Sequence, residues 1–332
     1  MYQLEIRENE AGQRLDKFLH KFMPLAPSSF FYKMLRKKNI TLNGKKAEGN
    51  EKLSVGDKLS FYLSEETMKG FQKEDKIHNG SVHNEYEKAF KELKGISVIY
   101  EDEHVIIMNK PAGVLSQKAK PEDLSLNEWM IGYLLANKCI DAKQLSTFKP
   151  SICNRLDRNT IGLVIGAKSL AGSQKMNELI SSRNIKKFYR MLVKGHVQKE
   201  ETLEGYLLKD EKSNKVRLTA DDSDEKAAYI KTRYYPVKDF SDRTLVEAEL
   251  ITGKPHQIRI HLASTGHPLL GDYKYGDRTF NEKYKKQFHI NSQLLYACRL
   301  ELPEMAAPFE GLSCRVIESP VPDEFKKLTS IM

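Results

Sequence analysis

A chain of 332 residues carries 54 Lys and Arg against 45 Asp and Glu, a net charge of +9 with a pI near 9.1. That length suits two domains or one large one with an appendage, and the charge suits a polyanionic partner without proving one. Four scattered cysteines (Cys139, Cys153, Cys298, Cys314) form no Cys-x-x-Cys pair, which argues against a disulfide framework or zinc knuckle and for a reducing compartment. No apolar run approaches the ~18 residues that span a bilayer, and the first residues lack a basic segment followed by an apolar core. A cytoplasmic protein without membrane contact is expected.

Residues 1–63 hold twelve Lys/Arg and seven Asp/Glu, so about a fifth of the chain carries over half of the excess charge. Leu15, Phe18, Leu19 and Phe22 follow i, i+3, i+4, i+7 spacing, which predicts one apolar helix face. Pro27-Ser28-Ser29 offers a break and a cap before a second helix with Phe31, Met34 and Leu35 on one side and Lys33, Arg36 and Lys37 on the other. Asn43-Gly44 after Ile40-Thr41-Leu42 predicts a hairpin, with Lys45 and Lys46 beyond the turn, and a last strand ends near Leu63. A basic helix face is often only solvated. Two short helices plus a hairpin, opening on Gly12-Gln13-Arg14-Leu15-Asp16-Lys17-Phe18-Leu19, nevertheless resemble the small αL RNA-binding module of ribosomal protein S-four type. That resemblance implies contact with structured RNA through shape and phosphates, by Lys33, Arg36, Lys37, Lys45 and Lys46.

Residues 64–94 are polar, aliphatic-poor and mixed in charge, which predicts a linker holding at most a short helix over Glu85 to Leu93. From residue 95 strands dominate. Ile96–Tyr100 and Val105–Met108 flank a turn, and Lys110-Pro111-Ala112-Gly113 is another. Leu126–Asn137 and Gly172–Ser181 have helical spacing. Lys186–Val193, Ala228–Tyr235, Leu245–Ile251 and Gln257–Leu262 are strand-like, so the expected fold of residues 95–332 is α+β with a mixed, largely antiparallel sheet. No Gly-rich phosphate loop follows a strand, so dinucleotide and P-loop chemistries fail.

Asn154-Arg155-Leu156-Asp157-Arg158-Asn159-Thr160, followed by the apolar run Ile161–Ala167, sets one carboxylate between two guanidinium groups at the mouth of a buried strand. Flanking positive charge favours the ionised carboxylate, fit to act as nucleophile or base, while Arg155 and Arg158 are suited to phosphates. In isolation such a string is usually a strand-end salt bridge. Read with period two, Thr252–Leu262 puts Ile258, Ile260 and Leu262 on one face and Gln257, Arg259 and His261 on the other. His256 and His261 then point oppositely, and with His267 make no metal ligand set; structural or RNA-contacting histidines are expected.

These segments occur in an order that resembles RluA-type pseudouridine synthases: Asn-Arg-Leu-Asp-Arg, then Lys-Lys-Phe-Tyr-Arg-Met-Leu-Val, then His-Gln-Ile-Arg-Ile-His-Leu with Gly-Asp-Tyr-Lys-Tyr-Gly. The resemblance covers nearly the whole chain except the linker. It implies that Asp157 is the catalytic aspartate, Arg259 its basic partner, Tyr189 the ring packing on the target base, and Arg155 the residue filling the space of a flipped-out nucleotide. Asn154, Ile161 and Lys254-Pro255 depart from the family's common His, Ser and Arg-Thr. The implied reaction isomerises uridine without gain or loss of atoms, so it needs no cofactor and no metal. Asp157 attacks the sugar carbon or the base, or promotes elimination; the residues leave that open. A monomer acting on structured RNA is expected, ribosomal by its appended module. The alternatives are a transfer-RNA synthase of the same family and a non-catalytic RNA-binding ribosome factor.

Overall fold

A computed structural model describes residues 1–71, 81–142, 145, 147–210, 215–219 and 227–330. Leu15, Phe18, Leu19 and Phe22 do share the buried face of helix α1 (Leu15–Phe22). Helix α2 (Ser28–Arg36) buries Phe31, Met34 and Leu35 and leaves Lys33 and Arg36 exposed, as the spacing predicts. Its cap differs from expectation. Pro27 occupies the N-cap position without a side-chain bond, and Ser28 Oγ instead lies 3.2 Å from His20 Nε2.

Around these helices runs a four-stranded sheet in the order β1 (Tyr2–Glu5), β4 (Lys58–Phe61), β2 (Ile40–Leu42), β3 (Lys45–Lys46). Asn43 and Gly44 join β2 to β3 at φ +52° and +74°, the left-handed conformations that a two-residue hairpin turn demands. The stretch expected to be a linker carries structure. Helix α3 (Glu65–Phe71) adds Met68 and Phe71 to the core of this first unit. Helix α4 (Ser81–Glu92) lies against the following unit, where Ala89 is fully buried and Phe90 meets Trp129 at 5.6 Å. Residues 72–80 lie outside the described residues. Thr147 Oγ1 donates to Glu10 Oε1 at 2.7 Å, joining the two units through a buried bond.

Beyond α4 the strands are β5 (Ser97–Glu101), β6 (Val105–Lys110), β7 (Ser151–Ile152), β8 (Ile161–Ala167), β9 (Lys186–Lys194), β10 (Glu201–Asp210), β11 (Lys215–Thr219), β12 (Ala228–Asp239), β13 (Arg243–Leu250), β14 (Leu295–Glu301) and β15 (Val316–Glu318). They build one sheet in the order β11-β10-β12-β13-β9-β14-β8-β6-β5, with β15 beside β14 and β7 beside β8. Among the described residues β14 and β8 form its parallel pair, so the sheet is mixed and largely antiparallel, as expected. Helices α5 (Leu126–Ala136) and α7 (Gln257–Ser264) pack on one face. On the other lie α6 (Leu170–Ser181), α8 (Arg278–Phe288) and α9 (Asp323–Ser330). β8 therefore has core on both sides, Val164 facing α5 and Leu163 and Ile165 facing α6. That double burial is why it reads as an unbroken apolar run.

The β8–β14 pair approaches unusually closely. Gly162 sits at φ +115°, and a Cβ there would lie 2.2 Å from Ala297 O. Only glycine has the freedom for both.

The strand expected over Gln257–Leu262 is instead helix α7. All six of those residues are buried. A helix wrapped on every side carries no polar stripe, so its sequence loses the 3.6-residue signature and chance alternation resembles a strand. Ile258 and Leu262, one turn apart, enter the core beneath the sheet, whereas Ile260 joins a separate cluster with Leu207 and Ile230. The single apolar face inferred from period two does not exist.

Candidate active site

Asp157 stands on the loop between β7 and β8, and short backbone contacts fix that loop. Leu156 is buried, donates its N–H to Ser116 Oγ at 3.0 Å and accepts the same hydroxyl's proton at its carbonyl, 2.8 Å away. Asn154 Oδ1 accepts from Ile165 N at 2.7 Å, tying the loop to the strand it enters. Beneath it the fully buried Lys110 donates to the carbonyls of Val114 (2.8 Å), Arg158 (2.9 Å) and Pro111 (3.0 Å). Burial pushes its pKa down to about 7, against the pull of Asp157. A turn lysine thus serves as an internal strut, three donors matched by three carbonyls.

The carboxylate opens into a cavity of about 1090 Å³, also lined by Tyr189, Arg259, His256 and Arg155. Arg259 Nη1 donates to Asp157 Oδ2 at 3.1 Å. The rest of that guanidinium is gripped from behind, Nε and Nη2 donating to the two oxygens of Asp272 at 2.7 and 2.8 Å. Asp272 also accepts the backbone N–H groups of Lys274 (2.9 Å) and Tyr275 (3.1 Å). Although burial works against ionisation of Asp272, Arg259 and those N–H groups hold its carboxyl below the usual range. The bidentate fork leaves Arg259 one direction in which to point, towards Asp157. Tyr275 lies under the guanidinium at 5.1 Å, and its hydroxyl meets His256 Nδ1 at 2.8 Å.

His256 begins α7 in a left-handed conformation at φ +57°, which turns its Nε2 to 3.8 Å from Asp157 Oδ2. Burial outweighs that carboxylate and holds the imidazole pKa below its ordinary value, so near neutral pH the lasting positive partner of Asp157 is Arg259. Tyr189 is buried on β9 and shares the inner face of the sheet with Met191 and Val193. Burial, reinforced by the charge of Asp157, raises its phenol pKa well above the ordinary value, so the hydroxyl stays protonated.

The sequence places Asp157 between Arg155 and Arg158, and the structure changes that picture. Its described ion partners are Arg259, 102 residues away, and His256. Arg158 turns back to donate to Gly113 O at 3.0 Å, while Arg155 remains exposed at the cavity wall. Consecutive residues of a turning loop diverge, so neighbours in sequence need not be neighbours in charge. Lys33, Arg36, Lys37, Lys45 and Lys46 are all exposed on the first unit, away from the cavity lining.

The chain that builds this cavity on a mixed sheet is similar to known proteins in sequence and in fold. The RNA pseudouridylate synthase family profile matches residues 104–264. The ribosomal large subunit pseudouridine synthase C of Vibrio parahaemolyticus is 30% identical over 322 residues, covering 93% of each chain. This chain belongs to the RNA pseudouridylate synthase family, in its RluA-type branch. It is an RNA pseudouridine synthase. The Escherichia coli K12 protein of the same name is 26% identical and covers 97% of this chain and 93% of its own. In fold, human RNA pseudouridylate synthase domain containing 4 superposes with a TM-score of 0.56 at 21% identity, covering 74% of this chain and 97% of its own. In the synthase, sequence reasoning named Asp157, Tyr189 and Arg259 but not Asp272, Tyr275, Lys110 or Ser116. A signal for Asp272 was available: a buried arginine needs a carboxylate, and Gly271-Asp272-Tyr273-Lys274-Tyr275-Gly276 is a tight polar turn.

Proposed function

We propose that this synthase isomerises uridines of large-subunit (23S) ribosomal RNA, with Asp157 as the catalytic carboxylate. The observation that carries the residue assignment is the cavity that Asp157, aimed by Arg259, lines together with Tyr189. The choice of RNA is supported by end-to-end similarity to relatives named for the ribosomal large subunit and by the exposed cations of the first unit. Such a substrate implies a cytoplasmic site of action.

The target base must first leave its stack, which costs a few kcal/mol that contacts in the cavity offset. The bond between uracil N1 and ribose C1′ then breaks, the ring turns, and C5 bonds to C1′. The proton lost from C5 balances the proton gained at N1, so no cofactor enters. Asp157 assists by attack on C1′ or the base, or by promoting elimination. Arg259 aims the carboxylate through its hydrogen bond. Tyr189 packs its ring on the uracil, in place to help remove the proton from C5. Arg155 at the wall is suited to fill the gap left by the extruded nucleotide.

The test is pseudouridine mapping of ribosomal RNA from cells carrying wild type, Asp157→Asn or no enzyme. Specific sites should be lost equally in the last two. Loss confined to transfer RNA would overturn the choice of substrate, and sites retained with Asp157→Asn would overturn the role of Asp157.

A further inference from the structure

Lys187 and Arg183 form a second charged feature in the wall of the same cavity. Lys187 lies on β9 two residues before Tyr189, so both side chains leave the strand on one side. Its ammonium is half-buried and rests against the backbone of Gly253, 3.7 Å from where a Cβ at that glycine would stand. The charged group bearing on it is another cation, Arg183, from the turn that follows α6. Among the described residues neither side chain has a hydrogen-bond or ion-pair partner. Other interior cations of this protein are matched: Arg259 by Asp272, Lys168 by Glu101, Lys110 by three carbonyls. A half-buried ammonium beside a like charge is held at a free-energy cost that an incoming anion would relieve.

We propose that Lys187 and Arg183 form an anion subsite for an RNA backbone phosphate next to the nucleotide held at Asp157. The substrate brings an anion of this kind to each side of the target base. Lys187, adjacent on the strand to the ring that packs the base, is within reach of one of them. The contact reads no sequence. It fixes the register in which the extruded nucleotide enters, and it rests on the assignment of Asp157 and Tyr189 given above.

The experiment uses the full chain and one RNA fragment containing a mapped target site. Affinity and single-turnover rate are measured for wild type, Lys187→Met, Lys187→Arg and Arg183→Met at several salt concentrations, with Lys326→Met as a remote control of net charge. Each methionine variant should bind about tenfold more weakly, as expected for loss of one charge-assisted bond, with a log–log salt slope shallower by about one. Lys187→Arg should retain most of the affinity. A neutral methylphosphonate at the contacted linkage should weaken wild type by the same factor and leave Lys187→Met unchanged. Equal sensitivity of Lys187→Met to every linkage, or slopes that match wild type, would overturn the subsite. Asp157→Asn, run in parallel, separates the failures. If it is inactive while Lys187→Met binds normally, only the subsite falls; if it stays active, the site assignment and the subsite fall together.

Discussion

The two units of this protein use positive charge in opposite ways. On the first unit Lys33, Arg36, Lys37, Lys45 and Lys46 stand in water, where each contributes little to the fold and is free to meet phosphate. In the cavity Arg259 is buried and committed, its donors divided between Asp272 behind and Asp157 ahead. Exposed charge supplies affinity that salt can titrate away, whereas buried charge supplies direction and is costly to disturb. Substitutions in the two places should therefore fail differently.

The largest effect is expected for Asp157→Asn, which should leave below about 1% of turnover because an essential group is worth several orders of magnitude in rate. RNA affinity should stay within a few-fold and Tm nearly unchanged, since the side chain is partly exposed at 27%. Arg259→Met comes next and should break the contrast in a second way. Behind it lies Asp272, 1% exposed. Removing the arginine strands that carboxylate, so stability should fall by roughly 3–5 kcal/mol along with the rate. Adding Asp272→Leu should recover part of the Tm and none of the turnover. A single Arg259→Met variant that melts like wild type would show that buried Asp272 does not depend on the arginine for its stability.

Replacing all five exposed cations by Gln should do the reverse, leaving Tm and the single-turnover rate on saturating RNA unchanged. Affinity should fall, and the log–log salt slope should become shallower by about 3.5–4.5 if every cation touches a phosphate. Substitution is a cleaner test than deleting residues 1–63, because Met68 and Phe71 pack into that core and would be stripped of partners.

The smallest effect concerns His261, whose buried ring bonds Thr232 Oγ1 at 2.8 Å and whose pKa burial lowers to about 4 from 6.5. Between these values the unfolded chain binds a proton that the folded one does not. Stability should therefore decline as pH falls from about 6.5 to about 4 and lose that contribution to the slope below it. His261→Gln should flatten the decline in urea titrations; an unchanged slope would assign it to other groups.

How much of this was legible depended on burial geometry. Helix α1 and the Asn43-Gly44 hairpin were readable because each is half-exposed and shows its period or its turn chemistry directly. β8 was readable because it is apolar on both faces. α7 was not, since complete burial erased its stripe. β10, β11 and α8 passed unread among mixed polar residues that pair or cap through distant partners, such as Asp277, whose side chain caps α8 and also binds Lys194. In the site, Asp157, Tyr189 and Arg259 stood out through motif order. Asp272, Tyr275 and His256 act through the fold, and Lys110 hides as an ordinary turn residue until its three carbonyl partners are assembled around it.

The close approach at Gly162 has one more consequence. Ala297 of β14 is paired with Gly162 on one side and with Tyr189 on the other. A single rung of the sheet thus works as a caliper, its jaws the strand that Asp157 leads into and the strand that bears the tyrosine ring. Its opening is two strand spacings, about 10 Å, and neither jaw can slide without parting backbone hydrogen bonds. Moving these two strands apart would mean rebuilding the sheet, whereas reshaping the cavity where it meets the solvent needs only new side chains.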